Sequence, residues 1–132
     1  MKIVVDTNIL FSFFWKESIT RKLIINLQNS LIAPEKARKE LKKYSNEIIK
    51  KVKINNKEFD ELFVELERYI EFAERKEYAD MIEKIKSINL DNDDYDFLAL
   101  AYKNKYAVWS NDRILKNQQL VKIITTKELL ED

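Results

Sequence analysis

Two carboxylates in this chain follow one local grammar. Asp6 ends the run Ile3-Val4-Val5, and Asp112 stands just past Ala107-Val108-Trp109-Ser110. In each case an apolar stretch suited to a buried strand gives way to small polar residues and an acid. Open parallel sheets bind ligands outside the carboxyl ends of their strands, which is where both acids would lie. The same position also suits an acid that caps the following helix. Glu40, in "APEKARKELKKY", lies three residues after Ala37 and four before Tyr44, on a stripe that otherwise reads as core-facing. A carboxylate pointing inward needs a cation or a hydrogen-bond donor waiting for it. Glu47 is its rival, about 10 Å farther along the helix axis, and Glu40 is preferred because only the first turns lie near the strand ends. A fourth acid comes from Asp91, Asp93, Asp94 and Asp96, which crowd ahead of "FLALAY". Most of these suit the helix dipole. Asp94, three before Phe97 and four before Leu98, is expected on the buried face of the first turn.

The chain contains no His and no Cys. That excludes disulfides, thiolate catalysis and cysteine-ligated zinc, and removes the commonest general base. Four converging carboxylates would repel one another and drive their pKa values up. The natural counter-charge is a hard divalent cation, Mg²⁺ or Mn²⁺, which prefers oxygen ligands.

The elements that must hold these acids alternate along the chain. Strands are expected at Lys2–Val5, Leu31–Ala33, in "YIEF", in "YAVWS" and in "VKIIT", each short and apolar. Between them lie helical patterns. One begins in "NILFSFFW"; one carries Ile19, Leu23 and Leu27; and one runs unbroken from Pro34 to about Val52, with Pro34 at its first position. Others are "NNKEFDELFVELERY", residues 74–86 and "FLALAY". Strand–helix alternation predicts a three-layer α/β/α sandwich around a mostly parallel sheet of four or five strands, with residues 1–132 forming one domain. The 45% of apolar residues argues against disorder. No apolar run approaches the roughly 20 residues a membrane helix needs, and the N-terminus shows no signal-peptide pattern, so a cytoplasmic protein is expected.

The net charge of +1 conceals an asymmetry. Residues 36–53 hold eight Lys/Arg against two Glu, whereas residues 58–77 hold eight acids against three bases. Both stretches read first as solvated helix faces, and the basic one also suits a polyanion. The crowded "LFSFFW" cannot turn every ring to one core stripe. It is either a helix buried on most sides or a surface for a homodimer or a partner peptide.

Taken together and in order, "VVDTNIL", "APEKARKELKKY" and "DNDDYDFLALAYKNKYAVWSNDRIL" resemble the PIN domain, a metal-dependent nuclease family, over essentially the whole chain. The resemblance implies a PIN-like fold and an acidic quartet of Asp6, Glu40, Asp94 and Asp112 acting as catalytic and metal-holding residues. Asn8 and Ser110 match supporting positions, and Asp96 and Asp93 are less firmly matched additions. Asn111 stands where the family commonly has glycine. The implied activity is endoribonuclease, hydrolysing RNA phosphodiester bonds with one or two Mg²⁺ or Mn²⁺ ions. Arg38, Lys39, Lys42 and Lys43 are placed to grip phosphates. Many small prokaryotic members are toxins of toxin–antitoxin pairs, so an antitoxin protein is an expected partner. Two competing readings remain. One is a phosphotransfer or phosphatase domain with Asp6 as nucleophile, although Asn8 stands where such phosphatases place a second Asp. The other is a non-catalytic RNA-binding module.

Overall fold

The computed structural model describes residues 1–88 and 92–131, so Asp91 lies outside the described residues. Its centre is β1 (Ile3–Val5), which pairs on one side with β2 (Leu31–Pro34) and on the other with β4 (Ala107–Trp109). β3 (Glu71–Ala73) adds beyond β2, and β5 (Ile123–Ile124) beyond β4. All four pairings are parallel, giving the order β3-β2-β1-β4-β5. The chain thus steps outward from β1 to β3, then returns to the centre and steps outward the other way. The reversal falls between β1 and β4, and a crevice opens there beyond the strand ends.

Helices cover the sheet in an α/β/α arrangement. That explains why β2 and β4 are buried along their whole length with no polar alternation. The central cover is α7 (Tyr95–Asn104), buried from Asp96 through Ala101 and packed against β1, β2 and β4. Ala99 and Ala101 keep that helix slim enough to lie close to the strands. Around it sit α1 (Thr7–Ser12), α2 (Ile19–Asn26), α3 (Glu35–Lys43), α4 (Ser45–Val52), α5 (Asn56–Tyr69), α6 (Ile82–Lys86) and α8 (Thr126–Glu131). No helix among the described residues is long and apolar enough to cross a membrane.

Several elements depart from the sequence reading. Pro34 ends β2 and forms the N-cap of α3 instead of its first turn. The expected continuous helix to Val52 breaks at Tyr44 (φ −99°, ψ 18°) into α3 and α4. Residues 74–86 form two 3₁₀ turns before the short α6. α1 ends at Ser12, and the rings after it diverge: Phe13 and Phe14 are fully buried, while Trp15 is 44% exposed. Phe14 stacks on Phe59 of α5 at 4.9 Å between centroids. The chain has no glycine, so α4 and α7 end on lysines in the left-handed region, Lys53 and Lys105, each at φ 60°.

Candidate active site

Asp6 follows β1 directly and is the N-cap of α1, its Oδ1 accepting from the Ile9 amide at 2.9 Å. The helix cap foreseen for this residue is present, and the 7% of Asp6 that is exposed faces open cavities. Burial raises its pKa, and the charge of Asp112 adds to the rise. Hydrogen bonds from the Ser110 hydroxyl and the Ile9 and Asn8 amides oppose it. Ser110 is wholly buried after β4, and its Oγ also accepts from the Asp112 amide at 3.1 Å. One hydroxyl therefore ties together the two acids that end neighbouring strands. Asp112 is exposed and caps the following 3₁₀ turn, accepting from the Ile114 amide at 2.9 Å.

Two cavities meet at Asp6 and Asn8. The larger, about 450 Å³, brings Asp6 and Asn8 together with Glu40 of α3 and with Asp93 and Asp94, which precede α7. The smaller, about 300 Å³, joins Asp6 and Asn8 to Asn111 and Asp112. Residues scattered over more than a hundred positions of sequence thus gather at the β1/β4 reversal. Glu40 is half-buried; desolvation raises its pKa, as do Asp93 and Asp96, while Lys36 and Lys43 lower it. Glu47, ranked behind Glu40 on distance, lines the larger cavity as well. The break at Tyr44 removes the straight-helix geometry on which that ranking rested.

The fully buried acid at the start of α7 is Asp96, not Asp94. Asp96 is 4% exposed, accepts from the Tyr78 hydroxyl at 2.5 Å and lies 3.8 Å from the Lys36 ammonium. Asp96 lines neither acid cavity. Its carboxylate also pushes the Tyr78 phenol well above its ordinary pKa, after burial itself. Asp94, half-buried, makes no side-chain cap bond to α7 and lines the larger cavity.

The basic residues divide. Arg38 donates to Glu67 of α5 at 2.8 Å and to Glu35 at 3.1 Å, and its guanidinium lies over Phe63. Lys42 also sits over Phe63, at 5.3 Å. Neither lines the acid cavities, nor does the exposed Lys39. The cations that Glu40 senses are Lys36 and Lys43. Sequence reading singled out Lys43 and missed Lys36, although Lys36 lies four residues before Glu40, one helical turn away. It also missed Tyr78 and Thr7. Thr7 Oγ1 is buried at the larger cavity without a hydrogen-bond partner among the described residues.

The donor set is all oxygen: carboxylates, the Asn8 amide and a hydroxyl. That is the chemistry of Mg²⁺ and Mn²⁺ sites, and the charge of a divalent cation would oppose the burial and the neighbouring acids that raise the Asp6 and Glu40 pKa values. Among the described residues, no three acids stand close enough to grip an ion as they are. The set fits such an ion in chemistry and in shared walls.

A parallel α/β/α domain with acids gathered at its sheet reversal belongs to the class of open sheets that bind ligands beyond the carboxyl ends of their strands. Within that class the chain belongs to the PIN domain family, whose model matches residues 4–131. Members of this family are in general metal-dependent nucleases. In fold the chain is similar to one in the crystal structure of VapBC2 from Rickettsia felis bound to a DNA fragment from their promoter. The TM-score is 0.67 at 16% sequence identity, covering 95% of this chain and 98% of that one. A comparison with curated proteins gave no match.

Proposed function

We propose that this protein is a divalent-cation-dependent endoribonuclease, with Asp6, Glu40, Asp94 and Asp112 holding the ion or ions. The observation that carries this reading is the pair of cavities meeting at Asp6. They draw Glu40 and Asp94 from one side and Asp112 from the other, in a chain of the PIN family. A bound Mg²⁺ or Mn²⁺ supplies activation of water for in-line attack and neutralises charge on the phosphate. The protein's own part is positioning. Ser110 and the amides of Ile9 and Asn8 fix the Asp6 carboxylate in place and offset part of the cost of burying its charge. The exposed Asn8 side chain, on the wall shared by both cavities, is placed to orient a phosphate oxygen. Lys36 and Lys43 temper the negative field so that a polyanion can approach Glu40.

The further role proposed is that of the toxin in a toxin–antitoxin pair, acting on cytoplasmic RNA and held inactive by an antitoxin protein. Support comes from the fold shared with a chain of the VapBC2 structure. RNA cleavage assayed against a titration of Mg²⁺ and Mn²⁺, with EDTA as control, tests the enzymatic reading. Cleavage that survives exhaustive chelation would refute it. Growth arrest on induced expression, relieved by the product of an adjacent small gene, tests the toxin role.

A further inference from the structure

The larger cavity is only partly acidic. Besides Asp6, Glu40 and Asp94 its wall carries aromatic rings, among them Phe11, Trp15 and Tyr44. Two of these rings lie in the open where their neighbours do not. Trp15 is 44% exposed although Phe13 and Phe14, just before it, are 0% exposed. Tyr44 falls on the helical stripe of Ala37, Leu41 and Ile48, which are all buried, yet it is 40% exposed because the α3–α4 break falls on it. Leaving large rings in water forgoes burial worth roughly 1.5–3 kcal/mol for a large side chain. Lys43 Nζ lies 5.4 Å from the centre of the Tyr44 ring, which sets a cation beside it.

We propose that Trp15 and Tyr44 form a stacking subsite for one unpaired nucleobase of single-stranded RNA, adjoining the phosphate held at the acids. The inference rests on the nuclease reading above and deepens it. A base is favoured as occupant because the rings and acids share one cavity, so a nucleotide whose phosphate lies at Asp6 places its base within reach of the rings. Flat, exposed aromatic faces accept any base by stacking. Lys43, beside the Tyr44 ring, and Lys51, on the cavity wall, suit the next phosphate along the strand. Such a site selects unstacked loops and single strands over duplex.

The test uses the full chain with Mn²⁺ and short labelled RNA oligonucleotides carrying one abasic residue at successive positions. In the wild-type protein, one abasic position next to the cleaved bond should raise KM roughly tenfold or more, with a smaller effect on kcat. In Trp15→Ala and Tyr44→Ala that penalty should shrink to about twofold or less, while Trp15→Phe and Tyr44→Phe, which keep a ring, should restore it. Intact RNA should also quench Trp15 fluorescence, Trp109 being fully buried. Circular dichroism checks that each variant is folded. Cleavage with an abasic penalty unchanged in the Ala variants overturns the subsite and spares the nuclease reading. Base-dependent quenching without cleavage does the reverse. If the Ala variants alter only self-association or binding of a basic peptide, the wall is a protein contact and the proposal fails.

Discussion

The two faces of α3 carry charge in opposite ways. On the face toward α5, Arg38 is matched by Glu67 and Glu35, and its guanidinium, held by the Glu67 carboxylate, titrates above its ordinary range. On the face toward the strand ends, Glu40 meets two more acids as well as two lysines, and across the cavity Asp6 meets Asp112. Burial raises the pKa of both Glu40 and Asp6. Charge that is matched within the fold fixes one element against another. Charge left in partial conflict, buried and next to a cavity, is the pattern that clusters at functional sites. Basic composition between residues 36 and 53 therefore has two meanings, separated by half a turn of helix.

That contrast can be broken experimentally, most forcefully at Asp6. Asp6→Asn should lower metal-dependent RNA cleavage by more than about a hundredfold, beyond what losing a residue that merely supports a metal ligand costs. Asn is an equally good helix cap, so the fold should survive. A variant that still cleaves at near wild-type rate would remove Asp6 from the site. Ser110→Ala comes next. It deletes the hydroxyl that donates to Asp6 and accepts from the Asp112 amide, and should cost roughly tenfold to a hundredfold in cation affinity or activity. Isothermal titration with Mn²⁺ measures the affinity, and an unchanged value would confine Ser110 to packing.

The parts legible in the sequence were those encoded by contiguous pattern. All five strands fall within a residue or two of their apolar runs, since strands covered on both sides show no polar alternation to confuse them. The placement of Asp6 and Asp112 was readable because strand ends fix where the following residues go, whereas Ser110 stood out only through the family resemblance. What escaped depended on breaks and on contacts between distant segments. A glycine-free chain does not mark its helix ends, so the stops at Lys53 and Lys105 and the break at Tyr44 leave no residue signature. Asp96 and Tyr78 stand eighteen residues apart, on elements whose contact no local pattern encodes. The pairing of Arg38 with Glu67 is likewise hidden in the sequence, because the acidic helix that supplies Glu67 lies far along the chain.

The next prediction concerns stability and uses the sign of the Asp6 shift. Its pKa in the fold lies above the ordinary 3.8, chiefly through burial. Stability linked to this group is therefore fully present below the unfolded value and lost as pH rises through the folded one. In EDTA, Asp6→Asn should have a higher Tm than the wild type at pH 7, with the gain fading toward pH 3.8. Added Mg²⁺ should then raise the wild-type Tm and leave the variant nearly unmoved, since binding only to the folded state stabilises it. Differential scanning calorimetry across pH, with and without the ion, reads both effects. A wild type more stable than the variant in EDTA at pH 7 would mean that Asp6 is already satisfied within the fold.

The smallest effect is expected on the matched face. Arg38→Ala removes ion pairs to Glu67 and Glu35 at a partly exposed position, together with a guanidinium 5.8 Å from the Phe63 ring centre. Such pairs contribute about 0.2–1 kcal/mol, and salt screens them. Urea unfolding should show a loss in that range at low ionic strength, smaller in about 1 M salt, where the Debye length falls to about 3 Å. The part that persists in high salt reports the packing of the guanidinium over Phe63. Cleavage should stay within about twofold of wild type, because Arg38 lines neither cavity and its partners lie on α3 and α5. A tenfold loss of activity in a stably folded Arg38→Ala protein would move the RNA path onto the α5 side of the helix and erase the distinction between its two faces.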